Sequence, residues 1–160
     1  AFVAFKELAD KKPEIDDRDL EALLTDERRT EEQEAFHLDL LQVSCGNQLV
    51  PTATVRLTTQ DGRTLVHTAT GTGPVDAAYR AINALVGIDN ELTEFSVKSV
   101  TEGIDAIGEV VVRIDREGRT YTGRGADTDI IVAAAKAVLQ AINRALSVQR
   151  RADADVRASP

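Results

Sequence analysis

The chain carries few side chains able to do chemistry. Its two histidines, His37 and His67, fall in separate strand-like runs, with no His-x-His or His-x-x-x-His spacing. A zinc site would therefore need ligands scattered along the chain. Cys45 is the only cysteine and ends the apolar run Leu40-Leu41-Gln42-Val43-Ser44-Cys45, where it reads as a passive, half-buried thiol. One thiol rules out a disulfide framework and fits a reducing, cytoplasmic setting. No Gly-x-Ser-x-Gly string offers a nucleophile elbow. Asp127 and Asp129 form a carboxylate pair of the sort that general acid–base catalysis uses. At the start of a helix, however, negative charge complements the helix dipole, and that role alone accounts for them.

Two glycine pairs are more informative. Gly71-Thr72-Gly73 and Gly123-Arg124-Gly125 each stand between a strand pattern and a helix pattern. Backbone N–H groups at a helix N-terminus have no intrahelical acceptor and can bind a carboxylate or phosphate. The alternative is that the glycines only permit a tight strand-to-helix turn. Neither pair is a dinucleotide fingerprint, because the third glycine and the downstream ribose acid are missing.

The surrounding elements are written twice. In the first copy, strand patterns run from Phe36 to Cys45, Thr52 to Thr59 and Thr64 to Thr70, with Asp61-Gly62 as a turn. Thr72 then reads as an N-cap and Pro74 as a first-turn residue of a helix through Leu85, which Gly87 closes. In the second copy, strands are predicted at Phe95 to Val100, Glu109 to Ile114 and Arg119 to Gly123, followed by an Ala-rich helix from Asp127 to Leu146. Val55-Arg56-Leu57 answers Val112-Arg113-Ile114, Asp61-Gly62-Arg63-Thr64 answers Glu117-Gly118-Arg119-Thr120, and Ala81-Ile82-Asn83 answers Ala141-Ile142-Asn143. The expected fold is α+β, a tandem β-β-β-α duplication with two three-stranded antiparallel sheets and two helices, repeat one at 36–87 and repeat two at 93–146. Each unit is thin alone, so the two must share a core.

Residues 1–35 read as short, polar linker helices, with Pro13 ending one and Asp16-Asp17 capping the next. Residues 147–160 show no apolar period and read as a disordered tail. The chain has 160 residues, 42% apolar and 29% charged, with no run near the ~20 apolar residues of a membrane span. Net charge is -8, and residues 1–35 supply most of it with 12 acids against 6 bases. An acidic chain with 4% aromatics lacks the cationic and stacking surface of a nucleic-acid binder. It contains no Met and opens with Ala1 inside a helical pattern, so it reads as part of a longer polypeptide.

Several strings carry a resemblance. Val50-Pro51-Thr52-Ala53-Thr54-Val55, Gly71-Thr72-Gly73-Pro74-Val75-Asp76-Ala77, Thr101-Glu102-Gly103-Ile104-Asp105-Ala106-Ile107-Gly108-Glu109-Val110 and the run from Gly123 to Ala137 resemble the C-terminal regulatory domain of 2-isopropylmalate synthases. Phe5-Lys6-Glu7-Leu8-Ala9-Asp10-Lys11-Lys12 is similar to the linker helices of that family. The resemblance implies a β-β-β-α pair that dimerises and binds leucine as feedback inhibitor at the dimer interface. It implies no catalytic activity and no cofactor in this piece. The divalent metal, acetyl-CoA and condensation with 2-oxoisovalerate belong to a catalytic barrel that this chain lacks. The barrel, leucine and a second copy are the implied partners, with no nucleic acid and no membrane. By matched motif the effector contacts fall on Gly71, Thr72, Gly73, Val75, Asp76, Asp127, Thr128 and Ile130, and by position on Leu92, Phe95, Ser99, Asp105 and Ala106. The other readings are an isoleucine-binding domain of the citramalate synthase branch, a purely structural dimerisation module, and a small enzyme using Asp127 and Asp129.

Overall fold

The computed structural model describes residues 34–99 and 106–158. The expected linker helices and Asp105 lie outside these residues. Six strands and two helices follow in the order β1 (Phe36–Gly46), β2 (Leu49–Thr59), β3 (Thr64–Thr70), α1 (Pro74–Val86), β4 (Glu91–Ser99), β5 (Gly108–Arg116), β6 (Arg119–Asp127), α2 (Ile130–Ala158). They form two three-stranded antiparallel sheets, ordered β1-β2-β3 and β4-β5-β6, each followed by its helix. The duplicated α+β fold is thus the observed one, and β1 and β4 share even a bulge, at Asp39 and Thr93.

Alternation in the central strands decides which face is covered. Ala53, Val55 and Leu57 of β2, and Val110, Val112 and Ile114 of β5, are fully buried, as a period of two requires when one face meets helices. These strands, Ala81 and Ile82 of α1, and the Ala133–Ile142 stripe of α2 make one continuous core. The two units therefore stabilise each other. Asn143, buried on α2, reaches across the repeat boundary. Its amide donates to the Phe36 carbonyl at 2.9 Å and its Oδ1 accepts the Phe36 N–H at 3.1 Å, pinning the first residue of β1.

The structure corrects the sequence reading in four places. Gly123 and Gly125 belong to β6, paired with Val112 and Val110, and do not form a turn at a helix N-terminus. A Cβ on Gly123 would lie 1.9 Å from the Ala137 carbonyl oxygen, and one on Gly125 2.2 Å from that of Ala133. The glycines let the backbone of α2 settle directly on β6. The N-cap of α1 is Gly73 rather than Thr72. Residues 147–158 continue α2 where a disordered tail was expected, because Ala, Arg and Gln sustain helix without needing an apolar stripe. Cys45 is exposed, not half-buried, since it sits where β1 ends beside a register shift between Ser44 and Gly46.

Candidate functional site

The two strand-to-helix turns occupy equivalent places and are built differently. At the second, Asp129 caps α2: its Oδ1 accepts the Ile131 N–H at 2.9 Å. Asp127 Oδ1 accepts the Asp129 N–H at 2.9 Å, and Asp127 Oδ2 meets Lys136 Nζ at 3.0 Å. Partial burial pushes the Asp127 carboxyl up, but the Asp129 N–H and Lys136 outweigh it and hold the group below its ordinary value. A lowered carboxyl stays ionised at neutral pH and cannot serve as a general acid there. The hydrogen bonds of both aspartates are those of a helix cap, and the small-enzyme reading has no further support in this geometry.

At the first turn, Gly73 is the N-cap with an extended backbone and no side-chain cap bond. It stands where Asp129 stands in repeat two. Pro74 has no N–H to satisfy, so the first-turn donors are those of Val75 and Asp76, for which no acceptor is found among the described residues. The turn itself is tight. The Thr72 N–H donates to Asp76 Oδ2 at 2.9 Å, the same oxygen meets Arg80 Nε at 3.0 Å, and a Cβ on Gly71 would lie 2.4 Å from the Ala77 nitrogen. Gly73 leaves the α1 N-terminus without a side-chain cap, whereas Asp129 supplies one at α2.

Sheet two gathers a second group. Ser99, Gly108 and Asp127 lie in one row across β4, β5 and β6. Ile130 folds back over Gly108, whose missing side chain makes the room: a Cβ there would stand 2.5 Å from Ile130 Cδ1. Ala106, half-buried, immediately precedes this row, and Thr128 is exposed beside it. Phe95 pairs with Val112 and Val97 with Val110, so both share the core-facing side of the sheet, yet they remain 40% and 50% exposed. Leu92 and Val75 are partly buried against the core. Leu92 lies seven residues from Ser99 along β4, about 23 Å in an extended strand, which separates it from the turn. No hydrogen bond or ion pair among the described residues joins residues 71–76 to residues 127–130 of the same chain.

Comparison of the two repeats explains the uncovered strand. Leu41 and Val43 on β1 correspond to Phe95 and Val97 on β4, and the former pair pack on Ala53, Ala77 and Ala78 beneath α1. His67 and Ala69 in β3 stand where Gly123 and Gly125 stand in β6. Side chains at those positions keep α1 from settling on one edge: it lies over β2 and β3 and also reaches β1. The glycines instead draw α2 onto β6 and leave the inner face of β4 bare. Val97 was not among the residues singled out from sequence, although Phe95-Ser96-Val97-Lys98 alternates and places it beside Phe95. Among the described residues no group of three His, Cys, Asp or Glu side chains is arranged to hold a metal.

Residues 14–146 match the LeuA allosteric (dimerisation) domain family. The chain is 58% identical over 144 residues to the 2-isopropylmalate synthase of Crocosphaera subtropica, covering 90% of this chain and 27% of that protein. It is 53% identical over 160 residues to the one from Picosynechococcus sp., covering 100% and 29%, and 58% identical over 144 residues to the one from Gloeobacter violaceus, covering 90% and 27%. The chain thus spans less than a third of the length of these relatives. A duplicated β-β-β-α core with an uncovered inner strand, together with a family match over most of its length, makes this chain a member of the LeuA allosteric (dimerisation) domain family.

Proposed function

We propose that the chain is the leucine-responsive regulatory part of a 2-isopropylmalate synthase, acting as a homodimer and leaving catalysis to a barrel elsewhere in the polypeptide. The observation that carries this reading is the bare inner face of β4. Phe95 and Val97 are exposed on the side of the sheet that elsewhere forms core, with Ile130, 37% exposed, near the same end. Apolar side chains on a core face stabilise a protein only when something covers them, and a second copy of a dimerisation domain supplies a matching surface.

The effector chemistry follows from what lies beside that face. A leucine carboxylate fits the uncapped N–H groups of Val75 and Asp76 at the start of α1. Asp76 and Asp127 offer acceptors for its ammonium, and Phe95, Val97 and Ile130 offer an apolar wall for its side chain. Because no hydrogen bond or ion pair among the described residues links the 71–76 turn to the 127–130 turn within one chain, the two are read as contributions from different protomers. Binding between protomers would then bias how they pack, which is the condition for regulation at a distance.

Titration calorimetry of the 160-residue chain with leucine and with isoleucine tests this. Saturable heat with leucine, weaker with isoleucine, is the expected result. Stronger binding of isoleucine would transfer the domain to the citramalate synthase branch. Silence with both at millimolar concentration would leave a structural dimerisation module.

A further inference from the structure

The tip of the β1–β2 hairpin is apolar where its turn needs no apolar residue. β3 ends at Thr70, opposite Thr52, so residues 46–51 project beyond it. The register slips between Ser44 and Gly46, which sets Val50 and Pro51 against Cys45 alone. A bulge of this kind bends the strand and re-aims its side chains. The turn itself is Asn47-Gln48, yet Leu49 and Val50 follow it at 60% and 66% exposed, more than Phe95 or Val97. Neither joins a core cluster. From Ser44 to Thr52 no side chain is charged. Apolar surface free of charge is the composition of the centre of an interface.

This tip is tied to the candidate site. The Gly71 N–H donates to the Pro51 carbonyl at 3.0 Å, which fastens the base of the tip to the 71–76 turn. At no more than ~3.6 Å per residue, Leu49 and Val50 lie within about 7 Å of Pro51. In repeat two, Val97 stands the same two residues from Ser99, which shares its row with Gly108 and Asp127. Each turn therefore has an apolar pair beside it, the hairpin tip at one and the bare face of β4 at the other. Both pairs are exposed within one chain, so neither covers the other there. The family is one of dimerisation domains, and a second copy brings the tip of one chain to the face of the other when the two turns meet across protomers.

We propose that Leu49 and Val50 of each protomer cover Phe95 and Val97 of the partner subunit, and that the hairpin tip thereby closes the apolar wall of the effector seat. A two-fold axis makes this contact twice, tip to face and face to tip, so that each copy seals the bare strand of the other. The seat is then incomplete in a monomer. One protomer gives the α1 donors and the tip, and the other gives the β4 face and Ile130. This assignment rests on the reading of a seat shared by two protomers.

Complementation of two variants of the 160-residue chain in sedimentation equilibrium, with no amino acid added, tests the pairing. Leu49→Lys/Val50→Lys and Phe95→Glu/Val97→Glu change only exposed side chains, and circular dichroism checks that both stay folded. Each alone is expected to lose the dimer at a concentration where the unmodified chain holds it. Mixed in equal amounts they should dimerise again, because the heterodimer keeps one native contact and sets lysines against glutamates at the other. The milder Leu49→Ser/Val50→Ser should raise the dissociation constant by roughly tenfold. A tip variant that dimerises as the unmodified chain does, or two monomeric variants that stay monomeric when mixed, would overturn the proposal and leave the shared seat standing. An unmodified chain that is itself monomeric would remove both.

Discussion

Replacing Gly123 with Ala should cost far more stability than one added carbon suggests. The new Cβ would stand 1.9 Å from the Ala137 carbonyl oxygen, 2.7 Å from the Ala141 nitrogen and 2.9 Å from the Ala141 Cβ. Ordinary contact begins near 3.4 Å, so α2 must lift from β6 by more than 1 Å. Two of the three obstacles are backbone and have no rotamer to change. A gap of 0.5–1 Å forfeits roughly a quarter to a half of each dispersion contact, and Ala133, Ala137 and Ala141 all lie fully buried in that interface. The expected loss is at least ~3 kcal/mol, the upper end of ordinary overpacking. With a urea m-value of about 2 kcal/mol per molar, the unfolding midpoint should fall by about 1.5 M. Gly73→Ala is the control, because nothing lies within 4 Å of its added carbon; only the N-cap preference changes, by less than ~1 kcal/mol. Urea titrations followed by circular dichroism read both. Equal shifts for the two variants would refute the claim that Gly123 exists for close helix–strand approach.

Asn143→Leu should lower stability by about 2 kcal/mol in the same titration, because the Phe36 N–H and carbonyl both lose their partner in a buried place. Gly73→Asp should copy the Asp129 cap, raise stability by about a few tenths of a kcal/mol, and weaken leucine binding by calorimetry as its carboxylate occupies the donors of α1. The Asp127 carboxyl should titrate below the ~3.9 of an unperturbed Asp in an NMR pH series. Since its folded value is depressed, the stability it contributes is full above the unfolded value and disappears as pH falls through the folded one. Asp127→Asn should flatten that acid limb.

Much of this architecture could be read from residues alone, because it rests on local pattern. Thr64–Thr70 matches β3 residue for residue, and Gly87 closes α1 in the left-handed conformation with its N–H on the Asn83 carbonyl. The repeated Ala-Ile-Asn string exposed the duplication. What escaped depended on partners distant in sequence. A glycine that frees a turn and one that admits a helix backbone look alike; Gly125 is resolved only by the Ala133–Ala137 edge opposite it. Of the proposed effector residues, Ser99, Asp127 and Ile130 converge with Gly108, whereas Leu92 joins the core. Its alternation gives Leu92 an apolar face, but cannot say whether that face meets its own helix or another chain.

The sharpest test of the central claim, that two copies meet over the inner face of β4, is sedimentation equilibrium of the unmodified chain beside Phe95→Glu/Val97→Glu. Both side chains are already exposed, so the double variant should stay folded by circular dichroism. The account predicts a dimer for the first and a folded monomer for the second. An unmodified chain that stays monomeric at high micromolar concentration, or a double variant that remains dimeric, would contradict it.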